Sequence, residues 1–358
     1  MGGLSLSLRQ RLALELERVQ QNLLIEQHPL KQLFWECTLR CNMHCRHCGS
    51  DCKVSSLTPD MPVADFISVL DEIALVQDPA DTFIIVSGGE PLMRDDLEHC
   101  GYLFTERGFP WGMVSNGLML TKSRLASLIS SGIRSVTISL DGLKDDHCWM
   151  RGRNDSFDAA CEAVGMIASS GLMGDVVTCV NRRNIRTLES VKKLLISLGV
   201  KEWRLFAVFP AGRAKGDDEL MLSGDELKML FDIIDDVRSE GKIRASFGCE
   251  GFLGGYEGKV RDHFYSCQAG VSVASIRCDG SISGCLSIRS RYDQGNIYKD
   301  RFMDVWNNRF EAFRHDEWKQ NGACSDCRMF RYCRGNGMHL RDDDGNLLTC
   351  LYKRMTGE

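Results

Sequence analysis

Between residue 33 and about residue 210, short apolar runs alternate with longer stretches in which apolar residues return every three or four positions. The runs LFWEC (33–37), TFIIVS (82–87), WGMVS (111–115), SVTISL (135–140), DVVTCV (175–180) and EWRLFAV (202–208) read as strands. Residues 61–76, 95–107, 122–131, 156–170 and 187–198 between them read as helices. Six strands separated by helices predict an α/β fold, a parallel sheet with helices packed outside it. A closed barrel of this kind needs eight strands, so the expectation over residues 33–215 is an open, partial (β/α)6 TIM-like barrel.

The pattern changes on both sides of that region. Residues 216–240 read as a charged connector, AKGDDELMLSGDE, running into a helix at 225–240. Residues 241–358 are rich in glycine and cysteine with only short elements, a smaller domain that needs metal staples to be stable. Residues 1–32 read as an amphipathic, helical N-terminal extension, too short for an independent peptide-binding module. Substrate capture is therefore expected at the barrel mouth, in the C-terminal segment or through a partner.

Composition narrows the partners. Net charge is −5 and no strongly basic run interleaves with aromatics, so nucleic acid is not expected. No run approaches the roughly 18 apolar residues of a membrane span. The first residues lack a signal-peptide layout, and Leu6 breaks the myristoylation pattern, so a cytoplasmic location is expected. In such a chain 17 cysteines are an anomaly, and their clumping points to metal ligands rather than disulfides. The scattered Cys100, Cys148, Cys161 and Cys179 read as packing residues.

The densest clump is CTLRCNMHCRHCGSDC, residues 37–52, directly after the first strand. Cys41, Cys45 and Cys48 would share one face of a helix, but Asn42, His44, Gly49 and Asp51 are poor helix formers. Thiolates at this spacing suit zinc, with His44 or His47 as a fourth ligand, or an iron–sulfur cluster. Three cysteines on a 4Fe–4S cluster leave one iron open to a small chelating molecule. The second strand is followed by Gly88-Gly89-Glu90-Pro91, which reads as a tight turn or as a backbone and carboxylate set for an ammonium group. No packing role for Glu90 is evident from sequence. Because barrel sites form at the C-terminal ends of strands, all these loops should converge on one mouth.

Cys41-x3-Cys45-x2-Cys48, with His47 before the last cysteine, resembles the signature of radical S-adenosylmethionine (SAM) enzymes. GGEP resembles their motif for the SAM amino group, and Ser139, Asp141 and Arg151 resemble later SAM contacts. PAGRA (210–214) resembles the adenine-side strand end. In the C-terminal segment, Cys267, Gly280 and Cys285, then Cys324, Cys327, Cys333 and Cys350, resemble a SPASM domain, with Gly337 where a further cysteine is expected. Cys324, Cys327, Cys333 and Cys350 make one full four-thiolate set, and Cys249 and Cys278 are the spare thiols nearest Cys267 and Cys285. The region around the cysteine loop also resembles a bacterial subgroup associated with a small lipoprotein.

The resemblance implies SAM, a SAM-binding 4Fe–4S cluster and one or two auxiliary 4Fe–4S clusters as cofactors, with an external electron donor. It implies cleavage of SAM to a 5′-deoxyadenosyl radical that modifies a peptide or protein, the partner being a ribosomal peptide precursor or small lipoprotein. A thioether, a carbon–carbon cross-link, an epimerised residue or an oxidised side chain would result. Two alternatives stand beside it. One is a formylglycine-generating sulfatase maturase, whose catalytic aspartate would fall where Leu286 stands. The other is a non-enzymatic zinc or iron–sulfur scaffold.

Overall fold

The computed structural model describes residues 6–357. The strands β1 (Gln32–Thr38), β2 (Phe83–Gly88), β3 (Trp111–Ser115), β4 (Ile133–Ser139), β5 (Met173–Val180) and β6 (Glu202–Ala207) pair in parallel in chain order. Helices α1 (Leu8–Gln27), α2 (Val63–Ala74), α3 (Leu97–Glu106), α4 (Lys122–Ser130), α5 (Lys144–Arg151), α6 (Ser156–Ser170), α7 (Leu188–Ser197) and α8 (Gly224–Glu240) accompany them. Alternation along the strands sorts the side chains. Trp35, Val86, Trp111, Val136 and Trp203 point outward into one core with Phe66, Leu70, Phe104 and Leu128 of the helices. Phe34, Ile85, Val114, Thr137 and Arg204 face the other way and line a cavity of about 880 Å³ inside the sheet.

The sheet is larger than the sequence pattern suggests. Its order is β10-β9-β8-β1-β2-β3-β4-β5-β6-β7, where β7 is Arg244–Phe247, β8 Val273–Ile276, β9 Ser281–Ser283 and β10 Gly295–Asn296. β7 joins β6 in parallel and β8 joins β1 in parallel, so eight parallel strands form the open barrel rather than six. RASF and VASI are four residues each, too short and too weakly alternating to stand out in a glycine-rich stretch. The antiparallel hairpin β8–β9 then carries the sheet into the C-terminal segment.

α1 starts at a capping box between Ser7 and Gln10. It lies against the C-terminal segment rather than the barrel. Leu14 packs with Phe252, Tyr265 and Tyr352, and Gln10 Nε2 donates to Gly255 O at 2.9 Å. Residues 1–5 of the expected extension lie outside the described residues. Among the described residues no helix is long and apolar enough to cross a membrane.

Candidate functional site

The cysteine loop leaves β1 at Thr38 and runs through turns, without a helix, so Cys41, Cys45 and Cys48 do not share a helix face. Instead the loop folds on itself and gathers the three with Met43, Leu39, Cys52 and Leu118. Burial, reinforced by Cys45, Glu90 and Cys48 nearby, pushes the Cys41 thiol up to about 11 against the opposing Met43 N–H. Cys48 goes the other way, to about 5, chiefly because Cys52 hydrogen-bonds to its sulfur. The loop thus contains a fourth thiol in contact with the three, a role not visible in the spacing.

Neighbouring strand ends hold the loop in shape. Gly89 N–H donates to Thr38 O at 2.7 Å and Glu90 N–H to Arg40 O at 2.9 Å. A Cβ on Gly88 or Gly89 would sit 2.3 Å from Thr38 O or 2.1 Å from Arg40 O, so the two glycines are needed for backbone approach. Glu90 is fully buried and does have a packing role. Its Oε1 accepts from Leu92 N–H and Ser115 Oγ, and its Oε2 from Asn116 N–H at 2.8 Å. Burial raises its proton affinity and these three donors oppose that. Asn116 Nδ2 in turn donates to Asn42 Oδ1 at 2.8 Å, leaving the buried Asn42 Nδ2 without a partner.

The loops after β4 and β6 close the other side. Asp141 is buried beyond reach of water. Its Oδ1 accepts from Cys179 N–H, and its Oδ2 lies 2.6 Å from Arg151 Nε in a charge pair too poorly aligned to be a hydrogen bond. Arg151 Nη1 reaches Cys45 Sγ at 3.6 Å. His147 Nδ1 accepts from Asp141 N–H, and burial lowers His147 to about 4. His47 is likewise lowered to about 4 by burial, with Nδ1 enclosed and unpartnered. Ser139 ends β4 on the same rim. Arg213, unremarked in sequence beyond its place in PAGRA, donates to Cys45 O at 2.8 Å, Cys52 O at 3.2 Å and Asp51 Oδ1 at 2.8 Å. Only the loop's own fold reveals those carbonyls as its partners.

The C-terminal cysteines form a second region. Burial, and then the thiols of Cys350, Cys327 and Cys324 beside it, push Cys333 up to about 12. Asn336 Nδ2 donates to Cys350 Sγ at 3.5 Å, and the buried Arg341 reaches Cys324 Sγ at 3.8 Å. Cys285 lies near Cys267, which packs with Cys333 and Cys350 in one cluster. Cys278 lies elsewhere, its thiol donating to Pro59 O and its N–H to Glu36 in the barrel.

Residues 35–195 match the Radical SAM superfamily, and residues 267–328 match the SPASM iron–sulfur cluster-binding domain. The chain thus carries a radical SAM domain followed by a SPASM domain. The AdoMet-dependent heme synthase of Nitratidesulfovibrio vulgaris is 25% identical to it over 91% of this chain and 94% of its own. The mycofactocin maturase of Mycolicibacterium smegmatis is 28% identical over 86% of this chain and 77% of its own. The solved structure of anSMEcpe with bound AdoMet and Cp18Cys peptide superposes with a TM-score of 0.70 at 20% identity, covering 92% and 95% of the two chains. That likeness is one of fold.

These domains imply SAM and 4Fe–4S clusters as cofactors. The donor chemistry of the radical SAM mouth fits them. Three thiols share one pocket, and the buried Asn42 Nδ2 and His47 Nδ1 lack partners. Among the described residues no three donors converge closely enough for a single metal ion.

Proposed function

We propose that this radical SAM enzyme cleaves SAM reductively and directs the resulting 5′-deoxyadenosyl radical at a C–H bond of a peptide or protein. The gathering of Cys41, Cys45 and Cys48 under the Gly88-Gly89-Glu90 backbone at the barrel mouth carries this reading. SAM and a reduced 4Fe–4S cluster, when bound there, supply the radical. The chain's residues do the rest. Cys41, Cys45 and Cys48 hold the cluster, and Glu90, fixed by Ser115 and Asn116, offers its remaining lone pairs to the SAM ammonium. Gly88 and Gly89 admit the backbone approach, and His47 and Ser139 would contact SAM. Asp141 has both oxygens engaged, so it acts by aiming Arg151 at the Cys45 sulfur. Cys324, Cys327, Cys333 and Cys350 hold one closed auxiliary cluster.

Partners in this reading are a ribosomal peptide precursor or a small lipoprotein, and an external electron donor. Leu286, apolar beside Cys285, speaks against the sulfatase-maturase alternative. A second reading has one observation behind it. The relatives named AdoMet-dependent heme synthase align over nearly their whole length, which favours a haem precursor as the substrate. The test is anaerobic reconstitution, reduction and addition of SAM, with 5′-deoxyadenosine measured chromatographically. Candidate peptides and haem precursors are then compared for a mass change. No 5′-deoxyadenosine from loaded enzyme overturns the proposal, and turnover of a haem precursor alone selects the second reading.

A further inference from the structure

Helix α1 is apolar on two opposite faces, and among the described residues only one of them is covered. Gln10, Leu14 and Gln21 mark the covered face. Gln10 Nε2 donates to Glu257 O at 3.2 Å, Leu14 is buried with Phe252 and Tyr265, and Gln21 Oε1 accepts from Gln268 Nε2 at 3.3 Å. On the other side of the helix run Leu8, Leu12, Leu16, Val19 and Leu23, from 52% exposed at Val19 to 76% at Leu8. One apolar stripe suffices to seat a surface helix on its core. A second one, continuous and made of large side chains, marks an interaction surface.

The order of residues in that stripe says what fits it. Leu12, Leu16, Val19 and Leu23 follow one another at the alternating four- and three-residue spacing of a coiled-coil seam. Arg9 continues the seam three residues before Leu12, and Glu26 three residues after Leu23. The series is symmetric about a point between residues 17 and 18. Leu12 mirrors Leu23, Leu16 mirrors Val19, and Arg9 mirrors Glu26. A two-fold contact between identical surfaces needs this symmetry, because residue i meets j while j meets i. Laid antiparallel on a second α1, every apolar residue of the seam meets an apolar one, and Arg9 meets Glu26 at both ends. Both charged residues are exposed, and neither is in an ion pair among the described residues.

Other coverings fit less well. A parallel partner in register would set Arg9 beside Arg9 and Glu26 beside Glu26. A lipid surface would find three arginines and three glutamates on α1 and no lysine, hence no net attraction for anionic headgroups. The stripe also points away from the body of the chain, so an antiparallel pair leaves the two bodies on opposite sides of the paired helices.

We propose that the chain forms a two-fold homodimer by antiparallel pairing of α1, with Leu12, Leu16, Val19 and Leu23 as the seam and Arg9 paired with Glu26 of the second copy at each end. This surface is independent of the SAM chemistry. Its size suits a dissociation constant on the order of micromolar. Pairing also presses α1 onto the C-terminal segment of its own chain, where Leu14 packs with Tyr265, Cys333 and Tyr352.

The experiment is sedimentation velocity on the full chain, reconstituted anaerobically with iron and sulfide, over about 1–100 µM, a range that brackets the affinity expected of a small interface. A concentration-dependent dimer is expected, and Leu16→Glu with Val19→Glu should leave a monomer throughout. Both positions are exposed, so iron content and melting temperature should stay those of the wild type. Arg9→Glu should weaken the dimer about 10-fold through its two symmetric charge pairs, Glu26→Arg should do the same, and the two together should restore it. A wild-type monomer at every concentration, including one that instead sediments with phosphatidylglycerol–phosphatidylcholine vesicles, would overturn the proposal. So would a dimer that survives Leu16→Glu with Val19→Glu, or one indifferent to the charge exchange.

Discussion

The barrel loop brings Cys41, Cys45 and Cys48 together in one short stretch strapped to the ends of several strands. The C-terminal segment draws Cys324, Cys327, Cys333 and Cys350 together across turns and helices of four residues or fewer. Around the first set, the backbone of β1 and the β2 loop is joined by direct hydrogen bonds, and Asn116, Arg151 and Arg213 add side chains from three further segments. Around the second, shape depends on the buried Arg341, which donates to Gly335 O at 2.8 Å and Lys319 O at 3.2 Å, and on Asn336. The barrel loop is shaped by contacts within the protein. The C-terminal segment has little sheet of its own and leans on whatever its thiols bind.

The largest expected effect separates the two regions chemically. Changing Cys41, Cys45 and Cys48 to alanine should drop 5′-deoxyadenosine formation to background while C-terminal iron stays bound. Undiminished cleavage in that variant would end the assignment of the radical site. Iron removal by chelation tests the same contrast physically. Amides in residues 316–350 should then exchange about 100-fold faster, while those of β1 to β6 keep their protection. Equal loosening in both regions would show that the barrel loop also depends on metal.

Smaller effects probe the straps. Arg213→Ala deletes charged hydrogen bonds to the carbonyls of Cys45 and Cys52, so SAM affinity should fall roughly 10-fold, the scale of one such bond. An unchanged titration would mean the loop holds itself. Glu90→Gln should cost both affinity and stability. Its amide would meet the Asn116 N–H or the Ser115 hydroxyl, leaving a buried donor unpaired at about 1–3 kcal/mol. Thermal unfolding and SAM titration on one sample check this, and a loss confined to binding would remove Glu90's packing role.

The last concerns pH. His147 is held down to about 4 by burial, whereas an unfolded histidine titrates near about 6.5. Between those values the unfolded chain binds more protons. This contribution is therefore full above about pH 6.5 and shrinks as pH falls to about 4, by about 3 kcal/mol at most. His147→Asn, which keeps an acceptor for Asp141 N–H, should flatten that part of the stability profile. An unaltered acid limb would place the sensitivity elsewhere.

The same contrast explains what the sequence made legible. The barrel strands β1 to β6 announced themselves because each buries one face against helices and alternates accordingly. Cys41, Cys45 and Cys48 were legible because local spacing alone brings them together. Glu90's buried bonds to Ser115 and Asn116 were not, since those partners come from the end of a different strand. Arg213 acts on main-chain carbonyls, which carry no residue identity to read. β7 and β8 are strands through their neighbours, not their own pattern.

The pairing of β8 with β1 has a consequence for how the molecule is made. Cys278 N–H bonds to Glu36 across 242 positions of chain, and the strand that carries the radical-site loop has an uncovered edge until those later residues arrive. On the ribosome, the cysteine loop is complete long before its own sheet is. A long-range parallel pairing of this kind forms slowly, and an open edge invites pairing with other chains. Synthesis of the cysteine loop and closure of the sheet are thus separate events in time, and in the interval between them the open edge of β1 is exposed to pairing with other chains.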